Sequence, residues 1–162
     1  MQLSQEILTL LQQDATLSPK TIAAMTGSDE ATVEAEIARL KETGVILGYT
    51  IRVNSEKMPV PMVEAMIEVK VSPQRDLGYN DIARRIYKFP EVESVFLMSG
   101  AYDLAVKIQA PTMQAISAFV WEKLAVLDGV TGTATLFIMR KYKENGTILV
   151  EDEVPERLVI SP

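Results

Sequence analysis

Apolar residues in the first fifty positions recur at three- and four-residue steps, and in the next ninety they switch to alternation. Ile7, Leu8, Leu10 and Leu11 predict a helix over residues 4–13. Ser18-Pro19 opens a second helix running to about Met25, because Ser caps a helix start and Pro suits its first turn. Ile22 and Met25 are its predicted inward residues. Thr26-Gly27 is a turn. Ser28 or Asp29 caps a third helix whose stripe, Val33, Ile37 and Leu40, repeats at i, i+4, i+7. Gly44 ends that helix, and residues 45–53 predict an extended strand.

Residues 54–62, NSEKMPVPM, read as a linker. Beyond it Val63, Ala65, Ile67, Val69 and Val71 alternate with Glu64, Met66, Glu68, Lys70 and Ser72, which predicts a strand with one polar face. Leu77, Ile82, Ala83 and Ile86 mark a helix that stops near Phe89-Pro90. Residues 92–98 and 102–109 are strands joined by a turn at Ser99-Gly100-Ala101. Pro111 opens a long helix through Met113, Ile116, Val120, Leu124 and Leu127, and residues 130–142 form the last strand.

The expected fold class is therefore α+β. A helix-turn-helix domain of winged type spans residues 1–53, and a ferredoxin-like βαββαβ sandwich spans 63–143. One sheet face is left over. It carries Met66, with either Phe96 and Met98 or Phe137 and Met139 depending on register, and a sheet-to-sheet dimer is its economical cover. Trp121 on the long helix reads as packing. The acidic tail, residues 144–162, has apolar runs at 147–150 and 158–160 that could add an edge strand or a partner contact.

Composition narrows the chemistry. With no Cys and no His, disulfides, thiolate metal sites, thiol catalysis and imidazole bases are excluded, so neither a metal nor another cofactor is expected. The first fourteen residues are amphipathic without a basic lead, and no apolar run approaches a membrane span; a cytoplasmic location and no membrane partner are the expectation. Net charge is −6, against the basic balance usual in nucleic-acid binders. The third helix sharpens that conflict: Asp29, Glu30, Glu34, Glu36 and Glu42 stand against Arg39 and Lys41. Affinity for a polyanion comes mostly from cations. One reading is a DNA reader working through Thr21, Ser28, Thr32, Arg39 and Lys41; the other is the solvated face of a structural module.

Taken together, residues 1–143 resemble the Lrp/AsnC (feast/famine) transcriptional regulators. The likeness rests on LKETGVILGYT at 40–50, on Ser99-Gly100-Ala101-Tyr102-Asp103 as the family's glycine-tyrosine-aspartate turn, and on Gly129-Val130 with Thr133 and Thr135 opening the last strand. The resemblance implies dimers assembling into octamers or similar discs, with an amino acid or related effector bound between subunits near that turn. Gly100 and Ala101 would receive a carboxylate on their N–H groups, Asp103 an α-ammonium, with Tyr102 in the turn and Thr133 and Thr135 supplying hydroxyls from the neighbouring strand. Read without the resemblance, Ser-Gly-Ala is ordinary turn chemistry. The family places cations near Ala35, Glu36 and Ala38, and this chain has none there. The alternative function is a sensor or assembly partner that no longer reads DNA. Siroheme decarboxylases share the two-domain plan, but they are expected to use histidines that this chain lacks.

Overall fold

Helix ends in the first unit, residues 1–53, lie where local capping chemistry puts them. A computed structural model describes residues 2–72 and 78–150. Helix α1 is Gln2–Gln13, α2 is Pro19–Thr26 and α3 is Glu30–Glu42. Ser18 caps α2 by accepting from the Thr21 N–H at 3.1 Å. Gly27 ends it at φ +68°, a left-handed conformation that costs glycine nothing. Asp29, rather than Ser28, caps α3, accepting from the Thr32 N–H at 2.9 Å. Ile7, Ile22, Ala23, Val33, Ile37 and Leu40 close one small core. Met25, expected inward, is 58% exposed; Ala23 takes the buried place beside Ile22. After Gly44 the Val45 and Ile46 N–H groups both bond to the Leu40 carbonyl, turning the chain back over the end of α3. The strand expected at 45–53 does not form, because no other segment of the unit offers it a ladder. Leu47 and Ile51 are left 93% and 82% exposed.

The second unit, residues 54–162, holds a four-stranded antiparallel sheet. Its strands are β1 Val63–Val71, β2 Val92–Leu97, β3 Leu104–Ala110 and β4 Val130–Phe137, in the order β2-β3-β1-β4. Helix α4, Tyr79–Ile86, follows β1, and α5, Met113–Phe119, follows β3 and continues as a π-helical turn over Val120–Leu124. This is the predicted sandwich, with β3 starting two residues later and β4 ending five residues earlier than expected. The predicted start of α4 at Leu77 lies outside the described residues. Ala65, Ile67, Val69 and Val71 face the helices and meet Ile82, Ile86, Ile116, Phe119 and Leu124. Each fully buried Ile or Leu contributes about 1.5–3 kcal/mol, so this layer is the main source of the unit's stability.

The register assigns the open face. Met66 pairs with Lys107 and Leu136, and Glu68 with Ala105 and Ala134, while Phe96 pairs with Ala105. Phe96 and Leu136 are therefore outward and half-exposed, whereas Phe137 pairs with Ala65 and packs against the core. Past β4 the chain makes a hairpin, β5 Lys143–Glu144 and β6 Thr147–Ile148. Its Asn145-Gly146 turn has both residues at positive φ, +46° and +81°, the geometry that matches strand twist in two-residue hairpins. Regular structure thus runs on past Tyr142 into the first residues of the acidic tail; the apolar run at 158–160 lies outside the described residues.

Candidate functional site

Two places carry the residues singled out above, one in each unit. In the first, burial of Val33, Ile37 and Leu40 orients α3. At about 100° per residue, the ridge opposite that stripe is Ala31, Ala35, Ala38 and Glu42. Thr32 and Arg39 lie on one flank, Glu34 and Lys41 on the other. Glu36 is not on the outward ridge. Its Oε1 accepts from Ser4 Oγ of α1 at 2.6 Å and from Arg39 Nη2 at 2.6 Å, and its Oε2 accepts from Arg39 Nε at 2.8 Å. The Arg39 fork, with the Ser4 hydroxyl, holds the Glu36 carboxyl down at about 2. The pairing with Glu36 in turn raises the Arg39 guanidinium.

The other reader candidates are partly committed. Thr32 Oγ1 donates to Asp29 Oδ2 at 2.5 Å, and the two Thr32 bonds hold the Asp29 carboxyl below its ordinary value. Thr21 Oγ1 shares a 2.8 Å bond with the Ser18 hydroxyl. Ser28 is half-buried at the turn, and its N–H bonds to the Ala23 carbonyl. Lys41 Nζ sits 5.2 Å from the centroid of the Tyr49 ring. The acidity apparent in the sequence is therefore not all presented outward: Asp29 is a cap and Glu36 a tie between helices.

In the second unit the turn between β2 and β3 presents the effector candidates. The Met98 N–H bonds to the Asp103 carbonyl at 2.8 Å, closing the turn, and the Asp103 N–H bonds to the Val69 carbonyl at 3.0 Å. Asp103 Oδ2 accepts from the Val71 N–H at 2.7 Å, and the Tyr79 hydroxyl reaches Oδ1 at 3.5 Å. Asp103 is thus a structural link from the turn to β1 and α4. Gly100 and Ala101 are exposed, and among the described residues their N–H groups have no partner. Tyr102 is half-buried beside them.

Thr133 and Thr135 do not join this group as expected. They pair with Val69 and Ile67 across β1, on the face turned toward the helices. Because β1 lies between β3 and β4, the threonine strand is about 10 Å from the turn's strand. The turn and the threonines are on one sheet but do not converge within one subunit.

Two further features were not read from the sequence. A cleft of about 400 Å³ lies along α5, lined by Met113, Gln114, Ser117, Trp121 and Phe137 among others. Trp121, expected to pack, is 73% exposed there: it lies five residues from the buried Ile116, off the stripe that carries Ile116 and Leu124 into the core. On the open sheet face Glu64, 7% exposed, lies between two cations. Lys141 Nζ donates to its Oε1 at 2.5 Å. Lys107 Nζ lies 3.1 Å from Oε2, an ion pair without a directed hydrogen bond. Lys107 also meets Glu93 and Glu144, each at 3.0 Å, and Lys141 meets Glu144 at 2.9 Å. Burial lowers the Lys107 ammonium, but the Glu144, Glu93 and Glu64 carboxylates more than reverse this and hold it above the ordinary lysine value. The cluster fastens the β5–β6 hairpin to the sheet. The Asn-Gly pair was the available signal for that hairpin.

Residues 64–148 match the model of the Lrp/AsnC ligand binding domain, and residues 2–46 match a winged helix-turn-helix DNA-binding model. The HTH-type transcriptional regulator YugG of Bacillus subtilis is 41% identical over 158 residues, covering 97% of this chain and 95% of that one. The proline dehydrogenase transcriptional activator of Rhizobium radiobacter is 28% identical over 141 residues, covering 87% and 90%. Among solved structures, a transcriptional regulator–L-Met complex from Neisseria meningitidis superposes with a TM-score of 0.74 at 23% identity, over 89% of this chain and 92% of that one. Escherichia coli AsnC superposes with a TM-score of 0.71 at 19% identity, over 89% and 95%. No helix among the described residues is long and apolar enough to cross a membrane.

Proposed function

The chain belongs to the Lrp/AsnC family of helix-turn-helix transcriptional regulators with a ligand-binding domain, and from that premise we propose that it responds to an amino acid or a related small metabolite. In this reading the first unit binds DNA through α2, the turn and α3, using Thr21, Ser28, Thr32, Arg39 and Lys41. The second unit receives the effector at Gly100, Ala101, Tyr102 and Asp103. The observation that carries the effector site is the pair of exposed N–H groups at Gly100 and Ala101, without a partner among the described residues, in the turn that leads to Asp103. Backbone N–H groups suit a carboxylate, and a carboxylate with lone pairs to spare suits an α-ammonium. The regulator solved with L-Met, similar in fold, supports that class of ligand. Thr133 and Thr135, remote from the turn within one chain, contribute from a neighbouring subunit of a homo-oligomer, built from dimers and extending to an octamer. The effector then shifts the balance between oligomeric arrangements and so the spacing of paired reader helices. In this reading the protein acts in the cytoplasm, a location consistent with its family of DNA-binding regulators.

A second reading is favoured by one observation: the outward ridge of α3 carries no cation. It is a sensor that assembles with DNA-binding relatives without reading DNA itself. One experiment divides the two. The full-length protein is offered a randomised duplex library, and enriched duplexes are tested over a salt series. Enrichment with a negative salt slope supports the regulator. No enriched sequence at low salt leaves only the assembly partner.

A further inference from the structure

The arrangement around Glu36 has the opposite meaning from its charge. A carboxylate on a DNA-reading helix repels phosphate, and its removal should tighten binding to any duplex. Here, however, the carboxylate is held from two helices. Ser4 of α1 donates to Oε1, and the Arg39 guanidinium forks onto both oxygens at 2.6 and 2.8 Å. Only 18% of the Glu36 side chain is exposed, while 54% of Arg39 is. Of the guanidinium's five donors, Nε and one N–H of Nη2 are engaged by Glu36; the other three are not. An unrestrained arginine loses much rotamer freedom when it docks, and a restrained one loses less.

We propose that Glu36 is a positioning residue for DNA recognition: anchored by Ser4, it fixes the Arg39 guanidinium on the flank of α3 with its remaining donors turned to the groove. This rests on the reading of the first unit as a DNA binder. The helical period sets Arg39 on the flank of α3 next to Ala35, and the fork to Glu36 holds its guanidinium on that flank, clear of the ridge of Ala31, Ala35 and Ala38, whose small side chains let the helix approach the bases closely. The acidic residue at a position where the family carries cations is then part of the recognition device.

The test measures the affinity of full-length protein for a library-selected duplex and for a scrambled duplex, and takes their ratio. Glu36→Gln removes a negative charge, yet the ratio is expected to fall about five- to tenfold, toward the low end of what one positioned base contact supplies. Ser4→Ala changes no charge and should lower the ratio in the same direction by about twofold, since one of several anchors is lost. In an Arg39→Ala background, Glu36→Gln should have no further effect on the ratio, because its action passes through Arg39. Unfolding curves of each variant verify that the first unit is intact, and Ser4→Ala carries the test should Glu36→Gln unfold. A ratio unchanged in both single variants overturns the inference. So does a further fall in the Arg39→Ala background. A wild-type protein that selects no duplex overturns the DNA reading and the inference together; a wild-type protein that selects well, with variants that keep its ratio, overturns the inference alone.

Discussion

Replacing Asp103 separates two tasks that one carboxylate performs. Its Oδ2 receives the Val71 N–H at 2.7 Å, at the end of β1, where Val71 is 6% exposed. Asp103→Ala leaves that buried N–H without an acceptor, a loss of about 1–3 kcal/mol. For a unit of roughly 100 residues each kcal/mol moves the midpoint by about 4–8 °C, so the second unit should melt on the order of 10 °C lower. Asp103→Asn keeps a carbonyl oxygen for Val71 and should cost less than about 1 kcal/mol, the difference between a charged and a neutral acceptor. It nevertheless removes the charge that an α-ammonium needs. Calorimetric melting of wild type and both variants, with and without a panel of the standard amino acids, tests this. Asp103→Asn should melt near wild type and lose the upward shift that the effective amino acid gives wild type. A full shift in Asp103→Asn would remove the charge from the effector site. An Asp103→Ala midpoint equal to wild type would show that the bond to Val71 does not hold β1.

Glu36 sets an acid limit on the first unit. Its folded pKa, about 2, lies below the ordinary 4.5, so the stability it contributes is complete above about 4.5 and is lost as pH falls toward 2. Urea unfolding between pH 5 and 2 should show a steeper loss in wild type than in Glu36→Gln, and parallel curves would discard this assignment. Gly27→Ala places a Cβ at φ +68° with nothing within 4 Å, so the cost is backbone strain alone, about 1–2 kcal/mol, read as a lower urea midpoint. Glu64→Ala should destabilise the second unit by about 3 kcal/mol, the low end for breaking a buried pair, because Glu93 and Glu144 still hold the lysines; thermal unfolding measures it. Phe96→Asp puts a charge on the open sheet face and should shift the protein toward monomer in sedimentation velocity, whereas an unchanged profile would place the subunit contact elsewhere.

What was readable in the chain was what depends on neighbours in sequence. Ser18, Gly27 and the α3 stripe are local, and their elements stand where the pattern put them. The alternation of 63–71 named the core face of β1 for the same reason. Pairings across the fold were not readable. Phe96 and Phe137 could each have been outward until the register placed one on each face. Thr133 and Thr135 looked like neighbours of the turn because the order β2-β3-β1-β4, with β1 between them, is not written in either segment. The i, i+3 spacing of Glu36 and Arg39 was local and legible, but the tie from Glu36 to Ser4, 32 residues away, was not. Trp121 reads as packing from its apolar bulk, although the spacing from Ile116 and Leu124 already turns it off the buried stripe.

The five charges that fasten the hairpin constrain how the gene can drift. Lys107 faces three carboxylates and Lys141 two, with Glu64 and Glu144 shared between them. A neutral residue at Lys107 alone leaves Glu93 without its cation and Glu64 and Glu144 with one fewer, so first steps away from this arrangement are unfavourable even when the end point is as stable as the start. Among descendants of this sequence, positions 64, 93, 107, 141 and 144 should therefore change in company. A lineage that has turned the cluster apolar should have lost the lysines and the glutamates together.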